Sequence, residues 1–241
     1  MVELTPIFMA TGILSVIWVG FGTLIGILFL KKYFTYNYRP MLLWGLCWIN
    51  LMKFWWPYAI NFLLILTTGE ILSLKITILI AETTTPIHFI LWMAAWADIM
   101  YEHHFKSIIS ILIIYGIISQ IIFWSLFFTD LGLILKLNSP FDYTFVGIIQ
   151  ILMFGETIVF LISAIFLYLR GHISLDPKIR IKSMLFLIHA LTFFSGVMLD
   201  IGFSNFITIM ISRIVMMFAP LCLYISQTYP EKMERFLLNK K

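Results

Sequence analysis

Long apolar segments separated by short polar ones repeat along nearly the whole chain. Each is apolar over about 20 residues, which is enough to cross a hydrocarbon layer of roughly 30 Å. We predict seven membrane-spanning helices at about 6–30, 41–67, 72–100, 107–129, 143–169, 182–204 and 206–228. The segment before the first helix has no basic stretch and no small-residue cleavage site follows it, so we interpret this helix as a span and not as a signal peptide. The predicted fold is an all-α integral membrane bundle of seven transmembrane helices, forming one domain over residues 1–241.

The composition supports this class and excludes others. Of the 241 residues, 61% are hydrophobic and 12% are charged, whereas soluble chains are about 45–50% apolar and about 25% charged. A soluble enzyme, a nucleic-acid-binding module and a disordered tail are all excluded. The net charge of +4 is typical of basic cytoplasmic loops and does not indicate nucleic acid as a partner. The lipid bilayer is the partner that the composition requires.

The basic residues fall mostly at one end of the predicted bundle. Twelve of the sixteen Lys and Arg lie in the loops after helices 1, 3 and 5 or in the tail: Lys31, Lys32, Arg39, Lys106, Arg170, Lys178, Arg180, Lys182, Lys232, Arg235, Lys240 and Lys241. By the positive-inside rule, the N-terminus lies outside and the C-terminus is cytoplasmic. We therefore expect a multi-pass protein of the cell membrane.

Ionisable side chains within the predicted spans are the best indicators of function, because charge is expensive at membrane depth. Counting about 1.5 Å per residue places Lys53, Glu82, Glu156 and Arg213 in the outer half of the bilayer at similar depth. The candidate ligand-binding or ion-pair residues are Lys53, Glu82, Thr85, Glu156, Asp200 and Arg213. We expect Lys53 to pair with Glu82, and Arg213 with Asp200 or Glu156. Alternatively, such pairs fix helix register and bind nothing.

Two prolines are expected to disturb the helices beside these charges. Pro86 follows three threonines and frees the carbonyl of Glu82, while Pro57 lies one turn after Lys53. Kinked helices that meet at charged side chains often form a ligand or ion site in membrane proteins. Trp55, next to Lys53, offers either a cation–π contact or a platform for an apolar ligand.

Histidine chemistry gives a weaker alternative. His88 and His189 fall at matched depth on predicted helices 3 and 6, where two imidazoles could ligate a haem iron. No third ligand stands at a recognised metal spacing, so we expect no metal and no cofactor. Predicted helix 7 contains no lysine for a retinal Schiff base, which argues against a rhodopsin.

The last 70 residues resemble a known group of membrane proteins. The charged segment Leu175–Lys182 leads into predicted helix 6, and helix 7 ends with Leu223-Tyr224 and Tyr229-Pro230-Glu231 before a short basic tail. This pattern is similar to uncharacterised prokaryotic, particularly archaeal, seven-helix membrane proteins and to the seven-helix sensor modules of some histidine kinases. The resemblance implies a sensory module. Because no output domain follows, we expect a signal to pass to a separate cytoplasmic partner at the basic loops or tail.

Three functions remain open from the sequence. The leading hypothesis is a non-enzymatic sensor or receptor-like module that binds a small molecule or ion in a polar cavity in the outer half of the bundle. The second is a small ion- or proton-coupled transporter with Glu82 and Glu156 as titrating carriers. The third is a lipid-modifying enzyme, for which the sequence offers no nucleophile–base pair.

Overall fold

The structure, a computed structural model, describes residues 5–202 and 205–228. Helices dominate this part of the chain, and one short hairpin interrupts them. The helices are α1 (Pro6–Tyr36), α2 (Arg39–Leu51), α3 (Trp56–Thr67), α4 (Leu74–Glu82), α5 (Thr85–Met100), α6 (Phe105–Thr129), α7 (Gly147–His172), α8 (Pro177–Gly202) and α9 (Phe206–Thr228), and the strands are β1 (Leu135–Ser139) and β2 (Asp142–Phe145). The predicted end of helix 6 at residue 204 and the basic tail from residue 229 onward lie outside the described residues.

The number of apolar spans agrees with the sequence prediction. Six helical segments of the described chain are long and apolar enough to cross a membrane, and α2 with α3 makes a seventh if the bent pair is counted as one span. The protein is therefore a multi-pass, largely α-helical membrane protein. The largest differences at the helix ends are in the first and sixth predicted helices. The first helix continues to Tyr36, where Asn37 ends it in the left-handed conformation, and α8 begins at Pro177, where Asp176 accepts a hydrogen bond from the amide of Lys178.

The second and third spans are each interrupted where the sequence predicts a disturbance. A short 3₁₀ turn, Met52–Phe54, separates α2 from α3, and the two halves are bent by 50°. Pro57 and Pro86 lie in the first turns of α3 and α5, where a missing amide hydrogen costs little. Each proline therefore starts a new helix, and the break falls before it. Lys53 and Thr84 lie within these two breaks.

The spans form a closed ring around an aromatic core. α1 contacts α2, α3 and α9, α2 contacts α5, α5 contacts α7, and α7, α8 and α9 follow in order, while α6 packs on α5 outside the ring. Gly26 and Gly45 allow α1 and α2 to approach closely, since a Cβ on either glycine would lie 2.9 Å from the carbonyl oxygen of the other.

The connection between α6 and α7 corrects one element prediction. The fifth helix was predicted from residue 143, but residues 142–145 form β2, which pairs antiparallel with β1, and α7 begins at Gly147. The hairpin packs at the end of the bundle where α1 begins. Its Phe141 is fully buried, with its ring centroid 4.6 Å from that of Phe8 and 6.1 Å from that of Phe62. The all-α prediction is therefore correct for the spans and wrong for this loop.

Candidate functional site

A cavity of about 110 Å³ lies between α2, α3, α5, α7 and α8, next to the hairpin. Half of its lining residues are Phe, Trp or Tyr, and Trp48, Trp92, Phe160 and Phe193 are among them. Tyr143 comes from β2. An apolar cavity of roughly 150 Å³ in another protein is large enough to hold benzene. The space therefore suits a compact molecule with few heavy atoms.

Glu156 on α7 supplies a carboxylate to the cavity wall. The residue is only 7% exposed. Its Oε1 accepts a hydrogen bond of 2.7 Å from the Tyr115 hydroxyl, and its Oε2 lies 3.5 Å from Nε2 of His88. Within the described residues, no lysine or arginine forms an ion pair with it. Glu156 is thus a buried carboxyl group without a permanently charged partner.

Asp200 on α8 is the second carboxylate on the wall, and its surroundings are different. It accepts hydrogen bonds from Arg213 Nη1 at 2.8 Å, from the Ser212 hydroxyl at 3.0 Å and from Trp55 Nε1 at 3.1 Å. The guanidinium group of Arg213 also lies 4.9 Å from the centre of the Tyr58 ring, within cation–π distance. Asp200 and Arg213 therefore form the ion pair that was one of the two alternatives expected for this arginine. Nε and Nη2 of Arg213 are buried without hydrogen-bond partners among the described residues.

Lys53 makes its contact across the two helix breaks. Its ammonium group donates to the Thr84 hydroxyl, which also accepts a hydrogen bond of 3.0 Å from Nδ2 of Asn50. The Glu82 carboxylate instead accepts a 2.8 Å hydrogen bond from the hydroxyl of Thr85. Among the described residues, no ion pair joins Lys53 to Glu82, although both Lys53 and Glu156 are close enough to Glu82 to interact electrostatically.

The hairpin is attached to the interrupted second span. The Tyr143 hydroxyl donates to the carbonyl of Phe54, in the 3₁₀ turn, and the Tyr143 ring stacks on Tyr58 at 4.7 Å. Burial raises the pKa of Tyr143 well above its usual value, so the hydroxyl stays protonated as a donor. Asn61 on α3 adds a second attachment, because its Nδ2 donates to the carbonyl of Pro140 at 2.9 Å. The hairpin and the break in the second span therefore form one connected unit beside the cavity.

The six predicted site residues separate into two groups. Glu156 and Asp200 line the cavity, whereas Lys53, Glu82, Thr85 and Arg213 lie outside its lining. Sequence reasoning missed the aromatic wall. On α7 the cavity-lining side chains recur every three to four residues and so share one helix face. They include Gln150, Met153, Phe154, Thr157 and Phe160. In a membrane helix the lipid-exposed faces are equally apolar, so this spacing does not stand out in the sequence.

The two histidines have different surroundings. His88 lines the cavity beside Glu156, while His189 is fully buried, outside the lining, and its Nδ1 lies 2.9 Å from the carbonyl oxygen of Ala219. The cavity therefore does not present both imidazoles to one ligand, as a haem held by this pair would require. Within residues 5–202 and 205–228, no group of three or more His, Cys, Asp or Glu side chains could hold a metal ion.

The opposite end of the bundle contains an open cleft between helix ends. Two cross-helix contacts border it. Arg170 Nη1 donates to the carbonyl of Met100 at 2.8 Å, and Arg39 Nη1 lies 3.5 Å from Asp98. Burial and the Asp98 carboxylate both raise the pKa of Tyr38, which lines the cleft. These contacts join the ends of α2, α5 and α7, which also line the aromatic cavity.

Comparison with known proteins adds no relative. No protein-family model matches the chain, and a search of curated proteins finds no match either. The fold and the hydropathy of its helices define a multi-pass membrane protein with a compact aromatic cavity. Its function is therefore inferred from that cavity and from the buried charges around it.

Proposed function

We propose that this protein is a non-enzymatic sensor or receptor-like membrane module that binds a small molecule in the aromatic cavity beside the hairpin. The observation that carries the proposal is the position of the cavity. Tyr143 of the hairpin and Phe54 and Trp55 of the broken second span all line the cavity. Mostly apolar cavities with a few convergent polar groups are the usual form of small-molecule sites. Glu156, His88 and Asp200 supply the polar groups here.

The mechanism is a ligand-dependent change in the bend between α2 and α3. A molecule in the cavity contacts Phe54, and Phe54 is held to the hairpin by the Tyr143 hydroxyl. A ligand that fits one bend angle better than another shifts the population toward that angle. α2 begins at Arg39, which contacts Asp98 at the other end of the bundle. A change in the bend would therefore alter the cleft at that end.

The distribution of basic residues among the loops supports an orientation of the bundle in the membrane. With the positive-inside orientation, the hairpin and the cavity face the outside of the cell, and the cleft faces the cytoplasm. We place the protein in the cell membrane. A separate cytoplasmic partner would bind at the basic loops, where Arg170 and the loop after α7 border the cleft.

Binding in the cavity is testable with a variant that fills it. Val197 is buried and lines the cavity, so Val197→Phe should occupy the space a ligand needs. Val159→Phe makes the same change at an exposed position of α7 and is the matched control. With indole as the probe, at about 100 times its dissociation constant, the wild type and the control should gain roughly 2.7 kcal/mol of stability. An equal gain in Val197→Phe would contradict binding in this cavity.

Signalling requires the cleft to respond to an occupied cavity. Spin labels on Phe34→Cys and Leu175→Cys, both highly exposed, would report the distance across the cleft end, in a background with Cys222→Ala to remove a half-buried thiol. We expect indole to shift the distance distribution in the labelled protein and to leave it unchanged after addition of Val197→Phe. A distribution unaffected by a bound probe would contradict the sensor mechanism.

The alternative function is ion- or proton-coupled transport, and one observation favours it. Glu82 and Glu156 are both buried, and each accepts a hydrogen bond from a hydroxyl group. They are also close enough to interact electrostatically. Two such carboxyl groups could pass a proton between them. Protein reconstituted in liposomes would then show a proton flux that Glu82→Gln abolishes. Binding of indole without any such flux would favour the sensor.

A further inference from the structure

The cavity wall carries acidic side chains that no lysine or arginine in the described lining balances. Its two ionisable acids are Glu156 and Asp200, and none of the described residues that line it is lysine or arginine. Asp200 is compensated by Arg213 at 2.8 Å. Among the described residues, the only polar partners of Glu156 are the neutral Tyr115 hydroxyl and the more distant His88 imidazole. A buried carboxylate is costly without a cationic partner, so a cation in the cavity would satisfy the group that the chain leaves uncompensated.

Two aromatic rings of the cavity wall lie one helical turn from Glu156 and from its neighbour His88. Phe160 follows Glu156 by four residues on α7, and Trp92 follows His88 by four residues on α5, so each pair shares a helix face. The two rings contact each other, with centroids 4.3 Å apart, and both line the cavity. The faces of Trp and Phe attract cations, and alkylammonium ions are often recognised by such rings.

We propose that the cavity binds a small organic ammonium ion, with its cationic group between the Glu156 carboxylate and the rings of Trp92 and Phe160. This inference rests on the proposed function, since it assumes that the cavity is the binding site. A metal cation is a poor occupant, because half of the lining residues are aromatic and one of the two carboxylates, that of Asp200, is already paired with Arg213. The volume of about 110 Å³ restricts the ligand to a compact ammonium ion.

Matched charged and neutral probes test the inference. Choline and 3,3-dimethylbutan-1-ol differ only by nitrogen in place of carbon, and benzylammonium and benzyl alcohol form a primary-ammonium pair of similar size. Their dissociation constants can be measured from the fluorescence of the purified protein, because Trp48 and Trp92 line the cavity. We expect the charged member of at least one pair to bind about tenfold more tightly than its neutral partner, and the two pairs distinguish a quaternary from a primary ammonium ligand.

Glu156→Gln should reduce this preference to about twofold or less, and Glu102→Gln, which removes an exposed acid far from the cavity lining, should preserve it. Should Glu156→Gln fail to fold, Phe160→Leu supplies a second arm: it should weaken binding of the cation and leave the neutral partner within about twofold. Equal binding of charged and neutral probes would overturn the ammonium inference and leave the cavity as the binding site. Binding of none of the four probes would overturn the inference, and if indole also fails, the proposed function fails with it.

Discussion

The buried ion pair between Asp200 and Arg213 permits the sharpest prediction about stability. The Arg213 side chain is 1% exposed and that of Asp200 is 14% exposed, and their charged atoms are 2.8 Å apart. Asp200→Asn would leave a guanidinium group buried without an anion, a loss that costs about 3–5 kcal/mol in buried pairs. Arg213→Leu should cost less, because Asp200 keeps its hydrogen bonds from Trp55 and Ser212.

The double variant separates this pairing from ordinary loss of packing. Asp200→Asn combined with Arg213→Leu leaves no uncompensated charge, so it should be more stable than Asp200→Asn alone, with a coupling energy of about 2–3 kcal/mol. The free energy of unfolding would be measured in mixed detergent micelles. Asp98→Asn is the control, since its partner Arg39 is 53% exposed and 3.5 Å away, and it should cost less than about 1 kcal/mol. Additive losses in the double variant would refute the reasoning.

Three further predictions concern the packing and the hydrogen bonds that position the site, each measured as the free energy of unfolding or as hydrogen exchange. Gly26→Ala should destabilise the protein by about 1–3 kcal/mol, because the added methyl group meets the backbone of α2, and Gly20→Ala, which meets nothing within 4 Å, should not destabilise it. Thr84→Val should cost about 1–3 kcal/mol by leaving two donors unsatisfied, whereas Thr83→Val removes only a bond within its own helix. Tyr143→Phe should speed amide exchange in the hairpin, since it releases the carbonyl of the 3₁₀ turn. Equal effects in either matched pair, or unchanged exchange in the hairpin, would contradict the corresponding contact.

The spans were predictable because hydrophobic length alone identifies them. Lipid leaves no alternative to a helix for a long apolar segment. Six described helical segments match six of the predicted spans, and the bent pair of α2 and α3 matches the remaining one if it is counted as one span. The hairpin was not predictable in the same way. Its second strand, Asp142–Phe145, has four residues and adjoins a long apolar helix, so its alternation is too short to separate from the helical pattern. Its position depends on Phe141 packing against α1 and α3, which are distant in sequence.

The partners of the charged side chains were only partly predictable. Asp200 and Arg213 lie on consecutive helices, and counting residues made Asp200 one of the two expected partners of Arg213 without deciding against Glu156. The same counting is uncertain by about one turn, and the pairing it predicted for Lys53, with Glu82, is wrong, because Lys53 donates to Thr84 instead. The choice depends on rotation of the chain at the two helix breaks, where Lys53 and Thr84 both lie.

The two cavity carboxylates differ in how far their charge is compensated, and this difference indicates which kind of ligand the candidate site would bind. Asp200 and Glu156 are both acids within apolar helices, so the sequence alone does not distinguish them. Asp200 has three donors, one of them a guanidinium group, so its charge is already satisfied and its role is to connect α8 with α9 and with the broken second span. In the part of the chain that the structure describes, Glu156 accepts one short hydrogen bond, from a neutral hydroxyl group. A buried carboxylate keeps its charge only where something offsets the cost, and otherwise it takes up a proton, so Glu156 is the group on which an external cation would have the largest effect.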